Sequence, residues 1–293
     1  MTDIHPTAVV SPKAQIGVGV HIGPYSVVED DCVIGDDCRI DSHVKIARYT
    51  TLGPRCRVYL GALIGEEPQD HRFQPGTVAW TTVGADTTIR EYVTIHRSPF
   101  PERYTRIGSG TLLMSFVHVG HDAQIGDRVT VANQTAVSGH VIIEDMAVLS
   151  GYILIHQFCR IGKLAMVGAR TIIRQDIPPF CMLAENECVC GPNVIGLRRA
   201  GYDSFARMAI RRAIKTYFFK GLNATNALAE IEKTPDLLPE VRHFVQFIRS
   251  TERGIDRTMF IKTIRPAAGP DEEPESRLSR SFNMKKIYQL KED

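Results

Sequence analysis

From Ile4 to Ile64 an aliphatic side chain stands at every sixth position, among mostly polar and small residues. The register returns at Val83, Ile89 and Ile95, and runs again from Ile107 to Ile173, which makes 26 positions in three blocks. A period of six is neither helical nor the alternation of a half-buried strand. It marks a parallel β-helix, in which each hexad forms one flat face and sends one aliphatic side chain inward. Three faces close a coil of roughly 18 residues, with neighbouring coils ~4.8 Å apart. The 26 hexads therefore predict about eight to nine coils around a narrow apolar core. Glycine follows the aliphatic in Ile16-Gly17, Ile22-Gly23, Ile34-Gly35, Leu52-Gly53 and Ile64-Gly65. Those glycines predict corners with positive φ.

The register breaks twice. Residues 66–82 carry Gln69-Asp70-His71-Arg72-Phe73, Pro75-Gly76 and Trp80, and residues 96–106 carry Pro99 and Pro101. Both read as loops thrown out from the coil. Pro178-Pro179, within Gln175 to Phe180, ends the solenoid, because paired prolines cannot donate to a ladder. The period then becomes helical. Asp203-Ser204 caps a helix with an apolar stripe of Ile210, Ala213, Ile214, Tyr217 and Phe218, and further helices are predicted over Thr225 to Lys233 and Leu238 to Arg253. The organisation is mainly β: a hexapeptide-repeat β-helix over 1–180, an α-helical domain over 181–266 and a polar, mobile tail over 267–293. Packing two further copies about a threefold axis covers exposed prism faces, so a homotrimer is expected, with sites in clefts between subunits.

Composition narrows the class. A formal charge of +2 on 293 residues makes no general case for nucleic acid. No apolar run approaches the roughly 20 residues that span a bilayer, and no apolar leader follows Met1. Seven cysteines without a C-x-x-C pair, two of them Cys188 and Cys190, point to free thiols in the cytoplasm. Charge is concentrated in one place. Arg198, Arg199, Arg207, Arg211, Arg212, Lys215 and Lys220 stand against the single acid Asp203, a patch suited to steering an acidic partner.

Histidines carry the candidate chemistry. His118, His121, His140 and His156 fall within a few coils; the spacings of 19 and 16 that separate His121, His140 and His156 place those three along one edge of the prism. His5, His21, His43 and His243 read as polar corner residues. A zinc site would need three nitrogens converging on one ion, which keeps a hydratase of the β-helical carbonic anhydrase type open as an alternative. A general base needs one neutral imidazole with an orienting partner, and Asp122 directly follows His121.

Several segments together carry a resemblance: Ile22-Gly23-Pro24-Tyr25, Ile64-Gly65-Glu66 with Gln69-Asp70, Ile89-Arg90-Glu91 through Thr94-Ile95-His96-Arg97, Leu112-Leu113-Met114, Gly120-His121-Asp122, Ser138-Gly139-His140 and His156-Gln157-Phe158-Cys159. In this order and spacing the chain resembles the UDP-N-acetylglucosamine acyltransferases that start lipid A biosynthesis, over roughly residues 4 to 260. The resemblance implies a left-handed β-helix and transfer of a 3-hydroxyacyl chain from acyl carrier protein to the 3-position of UDP-N-acetylglucosamine. No cofactor or metal is implied beyond the carrier's phosphopantetheine arm. It implies His121 as base, Asp122 as its orienting partner and the Gly139 N–H as oxyanion donor. Asp70, Arg72, His96, His118, His140, Gln157, Asn193 and Arg199 would meet the substrate. Ala169 would limit acyl length, with a straight groove along the solenoid giving roughly 13 Å, or about ten carbons, from His121. Arg198, Arg207, Arg211, Arg212 and Lys215 would receive the carrier protein. Ile195 and Ala200 stand where the family has a glutamate and an arginine, and Glu185 to Cys190 departs from its usual pattern. An imidazole base serves a 3-amine as well as a 3-hydroxyl, so an N-acyltransferase is a further alternative.

Overall fold

The computed structural model describes residues 1–184 and 188–257. Each of the 26 aliphatics lies in a short strand, from β1 (Asp3–Ile4) to β26 (Ile172–Ile173), and every third strand pairs in parallel. The result is a three-sided parallel β-helix. Chain order runs from the first face, which holds β1, to the second, which holds β2 (Val9–Val10), to the third, which holds β3 (Gln15–Ile16). From Ile22 onward the inner aliphatics are buried, whereas Ile4 is exposed because no coil lies beneath the first.

The corners are built differently from the glycine-based expectation. Positive φ falls on non-glycine residues such as Tyr25, Asp37, His43 and Asp122, and of the five glycines named above only Gly65 adopts it. The others serve close approach: a Cβ on Gly35 would lie 2.6 Å from the Pro54 nitrogen of the next coil. Buried thiols and hydroxyls share one corner task. Cys32 donates to the Ala47 carbonyl at 3.1 Å, as Thr87 does to Gly108 at 2.7 Å, and burial pushes the Cys32 thiol up to about 11. These cysteines are structural hydrogen-bond donors.

Both excursions are shorter than the break in hexad register predicts. Strand β11 runs Leu63–Glu66 and β12 runs Trp80–Val83; β14 runs Thr94–His96 and β15 runs Tyr104–Ile107. Thr81 pairs with Thr50 on one side and Thr105 on the other, and the Trp80 and Tyr104 rings stack at 5.0 Å. This non-local pairing extends the ladder into residues that read as loop.

The ladder also passes the paired prolines. Ile177 bridges Ile161, and β27 (Cys181–Leu183) joins the first face in parallel before β28 (Val189–Pro192) turns back antiparallel. Pro178 and Pro179 occupy a corner, where no N–H is required. Among the described residues four helices follow: α1 (Val194–Arg199), α2 (Ser204–Phe219), α3 (Ala224–Glu232) and α4 (Pro239–Arg249). Asp203 caps α2 by accepting from Ala206 N–H, and all five residues of the predicted stripe are buried. The periodicity gave no sign of α1, a single turn and a half. The β-helix and the helices form one compact unit with a shared core. A buried clamp joins them: Asp176 accepts from Arg160 and Thr251, while Arg160 also reaches the Phe247 carbonyl and lies over the Phe247 ring. The predicted tail at 267–293 lies outside the described residues.

Candidate active site

The corner between the second and third faces repeats at Asp122, His140 and Phe158, each with φ near 60°. This repeat of 18 stacks His140 on Phe158, with centroids 4.6 Å apart and rings 7° from parallel. His121 meets His140 edge-on at 5.1 Å. His156 therefore leaves the predicted row: it sits at a strand end, and Arg253 donates to its Nδ1 at 2.7 Å. Phe158 takes the rung instead, and the 18-residue spacing from His140 was the signal for it.

His121 Nδ1 lies 2.8 Å from Asp122 Oδ2. A carboxylate can only accept, so Nδ1 carries a proton, and in the neutral imidazole Nε2 then presents its lone pair. Burial disfavours the Asp122 charge, but hydrogen bonds from His121 and Ser98 and the nearby imidazoles overcome it and hold the carboxyl below its usual range. Thr105 Oγ1 accepts the Asp122 backbone N–H at 2.8 Å and donates to the His96 carbonyl, fixing the left-handed corner. Gly139 lies against the His121 ring, where a Cβ would fall 2.8 Å from Nε2. Only glycine leaves the ring its place.

The first excursion supplies Asp70, whose Oδ2 is 3.6 Å from His121 Nε2. Arg72 grips Asp70 with a two-pronged pair, Nε to Oδ1 at 3.1 Å and Nη2 to Oδ2 at 2.7 Å, and this grip, with the Arg72 backbone N–H, holds the Asp70 carboxyl far below the usual range. In this structure Nε and Nη2 of Arg72 are engaged by Asp70, while the side chain remains largely exposed at the site. The two excursions interlock: Arg72 and Arg103 both lie over the Phe100 ring, and buried Arg97 donates to the Gly65 carbonyl at 2.8 Å. Ser98, Phe100 and Arg103 come from a stretch without periodicity, so sequence reasoning missed them.

His96 and His118 form a second pair, with centroids 5.2 Å apart. His96 donates Nδ1–H to the Glu67 carbonyl, and His118 Nδ1 meets Thr94 Oγ1 at 2.8 Å. Burial lowers both, His118 to about 4, so both imidazoles are neutral near pH 7. Burial likewise lowers His140. His121, Asp122 and His140 each offer one ligand atom, all within 4.8 Å of one another. Two donors on a tetrahedral zinc stand about 3.3 Å apart, so the 2.8 Å between His121 and Asp122 is a hydrogen bond. The four predicted histidines do not converge on one point.

The remaining predicted residues are spread more widely. Gln157 is exposed one rung beyond Gly139. Asn193 is buried, and both ends of its amide are used, Oδ1 capping α1 at Gly196 and Nδ2 donating to the Leu164 carbonyl at 2.9 Å. In this structure it serves as the N-cap of α1. Arg198 and Arg199 close α1; Arg207, Arg211, Arg212 and Lys215 lie along α2, Arg207 half-buried and the others exposed, beside exposed Phe205 and Met208. Ala169 occupies the corner between the first and second faces, not the corner of His121. A straight groove along one chain does not connect them. Of the histidines read as corner residues, His5, His21 and His243 meet Thr7, Asp3 and Glu144, and His243 belongs to α4.

Comparisons with known proteins follow this geometry. The family model for UDP-N-acetylglucosamine O-acyltransferase, domain 2, matches residues 176–255, and the bacterial transferase hexapeptide model matches 13–48 and 104–139. An acyl-[acyl-carrier-protein]–UDP-N-acetylglucosamine O-acyltransferase of Janthinobacterium sp. (strain Marseille) is 41% identical over 263 residues, covering 88% of this chain and 100% of that protein. One from Thermodesulfovibrio yellowstonii is 38% identical over 259 residues, with the same coverage. Among solved structures, the UDP-N-acetylglucosamine acyltransferase of Francisella novicida superposes with a TM-score of 0.85 at 32% identity, covering 92% of this chain and all of that one. That of Bacteroides fragilis gives 0.84 at 37% identity, covering 86% and 99%.

Proposed function

The chain belongs to the UDP-N-acetylglucosamine O-acyltransferase family, a left-handed β-helix enzyme family, and we propose that it performs the family's transfer with His121 as general base. It moves an acyl group from acyl carrier protein to UDP-N-acetylglucosamine, the first step of lipid A biosynthesis. The acceptor is the sugar's 3-hydroxyl and the acyl group a 3-hydroxyacyl chain.

In the proposed step Nε2 of His121 takes the hydroxyl proton as the oxygen attacks the thioester carbonyl. The carbonyl oxygen becomes an oxyanion beside the Gly139 N–H. Collapse of the intermediate breaks the carbon–sulfur bond, and the imidazolium returns its proton to the departing thiolate of the phosphopantetheine arm. Asp122 stabilises the imidazolium in between. The reaction as written uses no cofactor of the protein's own. The observation that carries the reading is the 2.8 Å contact from Nδ1 to Asp122, which leaves Nε2 as the base. His121→Ala should lower kcat by ~10² to 10⁴ with the fold retained. Near-wild-type turnover of that variant with acyl carrier protein thioesters, followed by mass spectrometry, would discard it.

Two assembly features belong to the same proposal. Outward Leu154 and Ile172 are register partners on the second face and both are exposed, an apolar strip suited to a second copy. Three copies packed on that face make the trimer. Its borders bring one copy's His121 corner toward the next copy's Ala169 corner. The exposed cations of α1 and α2, set around Phe205 and Met208, suit an acidic carrier protein.

A further inference from the structure

Ser98 lies in the second excursion, yet it is 0% exposed and its hydroxyl stands 3.0 Å from Asp122 Oδ2. The same carboxylate oxygen accepts Nδ1–H of His121 at 2.8 Å. The direction of the Ser98 bond is set twice. A carboxylate cannot donate, and the Phe100 backbone N–H donates to Ser98 Oγ at 3.1 Å, filling a lone pair of the hydroxyl and leaving its proton for Asp122. A one-way chain results, from Phe100 N–H to Ser98 O–H to Asp122, with His121 donating from the other side.

We propose that Ser98 is a positioning residue, acting through Asp122 to hold the His121 imidazole in the orientation and tautomer that base catalysis requires. The proposal rests on His121 being the base. Asp122 has few other anchors for its carboxylate: Arg103 stands 3.9 Å from Oδ1 and His140 3.8 Å from Oδ2, both beyond hydrogen-bond length. Without the hydroxyl, Oδ2 keeps one short partner and a buried carboxylate loses a charge-assisted bond. The carboxylate then rotates more freely, and its undivided charge pulls harder on the imidazolium. The other charged or titratable groups around the dyad are Asp70 and Arg72 on the first excursion and His96 and His118 on the second face. None of these is altered by changing Ser98.

Ser98→Ala should lower kcat on the order of tenfold with KM little changed, and should move the acid limb of the kcat/KM profile to higher pH. Ser98→Cys keeps the shape with a weaker donor and should fall between wild type and Ser98→Ala on both counts, which decides the matter if the alanine variant folds poorly. Thermal unfolding run alongside reports folding. A loss of kcat with an unmoved acid limb, or wild-type kinetics in both variants, would overturn the proposal. A His121→Ala enzyme that still turns over would instead remove the base on which it rests, so the two failures are told apart.

Discussion

At the scale of single residues the site rests on which nitrogen of each imidazole is already engaged. Asp122 holds Nδ1 of His121, Glu67 that of His96, Thr94 that of His118 and Arg253 that of His156. The adjacency of His121 and Asp122 was readable from the chain, since neighbours at a left-handed corner share one edge. The partners of the other rings come from strands and loops tens of residues away, so nothing local announced them. Buried His118 carries a consequence for pH. Its ordinary value is 6.5, and burial lowers it to about 4. Between those limits the unfolded chain binds the proton and the folded one does not, so stability falls as pH drops through that window. His96 and His140 act in the same direction. Urea midpoints at pH 7 and pH 5 should therefore differ less in His118→Gln than in wild type; an equal difference would show that His118 does not contribute.

At the scale of elements, the hexads were legible because every inward aliphatic answers to one core, and each of the 26 predicted positions falls in a strand. The corner chemistry was less so. The residue that bends left-handed is not the glycine that catches the eye, and that glycine is there because the next coil passes too close for a Cβ. Trp80 to Thr82 became strand through pairing with Thr50 and Tyr104 to Arg106, which no local period encodes. The clamp between solenoid and helices is likewise non-local. Asp176 is buried and takes bonds from Arg160 and Thr251, so Asp176→Asn should destabilise by about 3 kcal/mol in urea unfolding. A change under about 0.5 kcal/mol would mean the helices are held by apolar packing alone.

At the scale of the whole molecule, the corner positions change how acyl length is to be understood. Ala169 stands 48 residues, about 2.7 coils, beyond His121, ~13 Å along the axis, but on the other border of the second face. In the proposed trimer a neighbouring copy brings such a residue toward the base. Ala169→Met should therefore shift turnover toward shorter acyl thioesters in a protein whose solution mass is about three times 32.7 kDa. A monomer in solution, or an unshifted preference across a graded thioester panel, would refute this arrangement.

The rungs also set the grain in which such an enzyme can vary. Dropping three residues from a coil between Val141 and Val167 would turn every later inward side chain outward, whereas losing one complete turn would leave the dyad and Gly139 untouched and draw the helical cap nearer by ~4.8 Å. A solenoid of this kind tunes reach in whole notches rather than by degrees. Natural length variants should thus differ by multiples of a full coil, or by loops thrown out at a corner as between β11 and β12 and between β14 and β15.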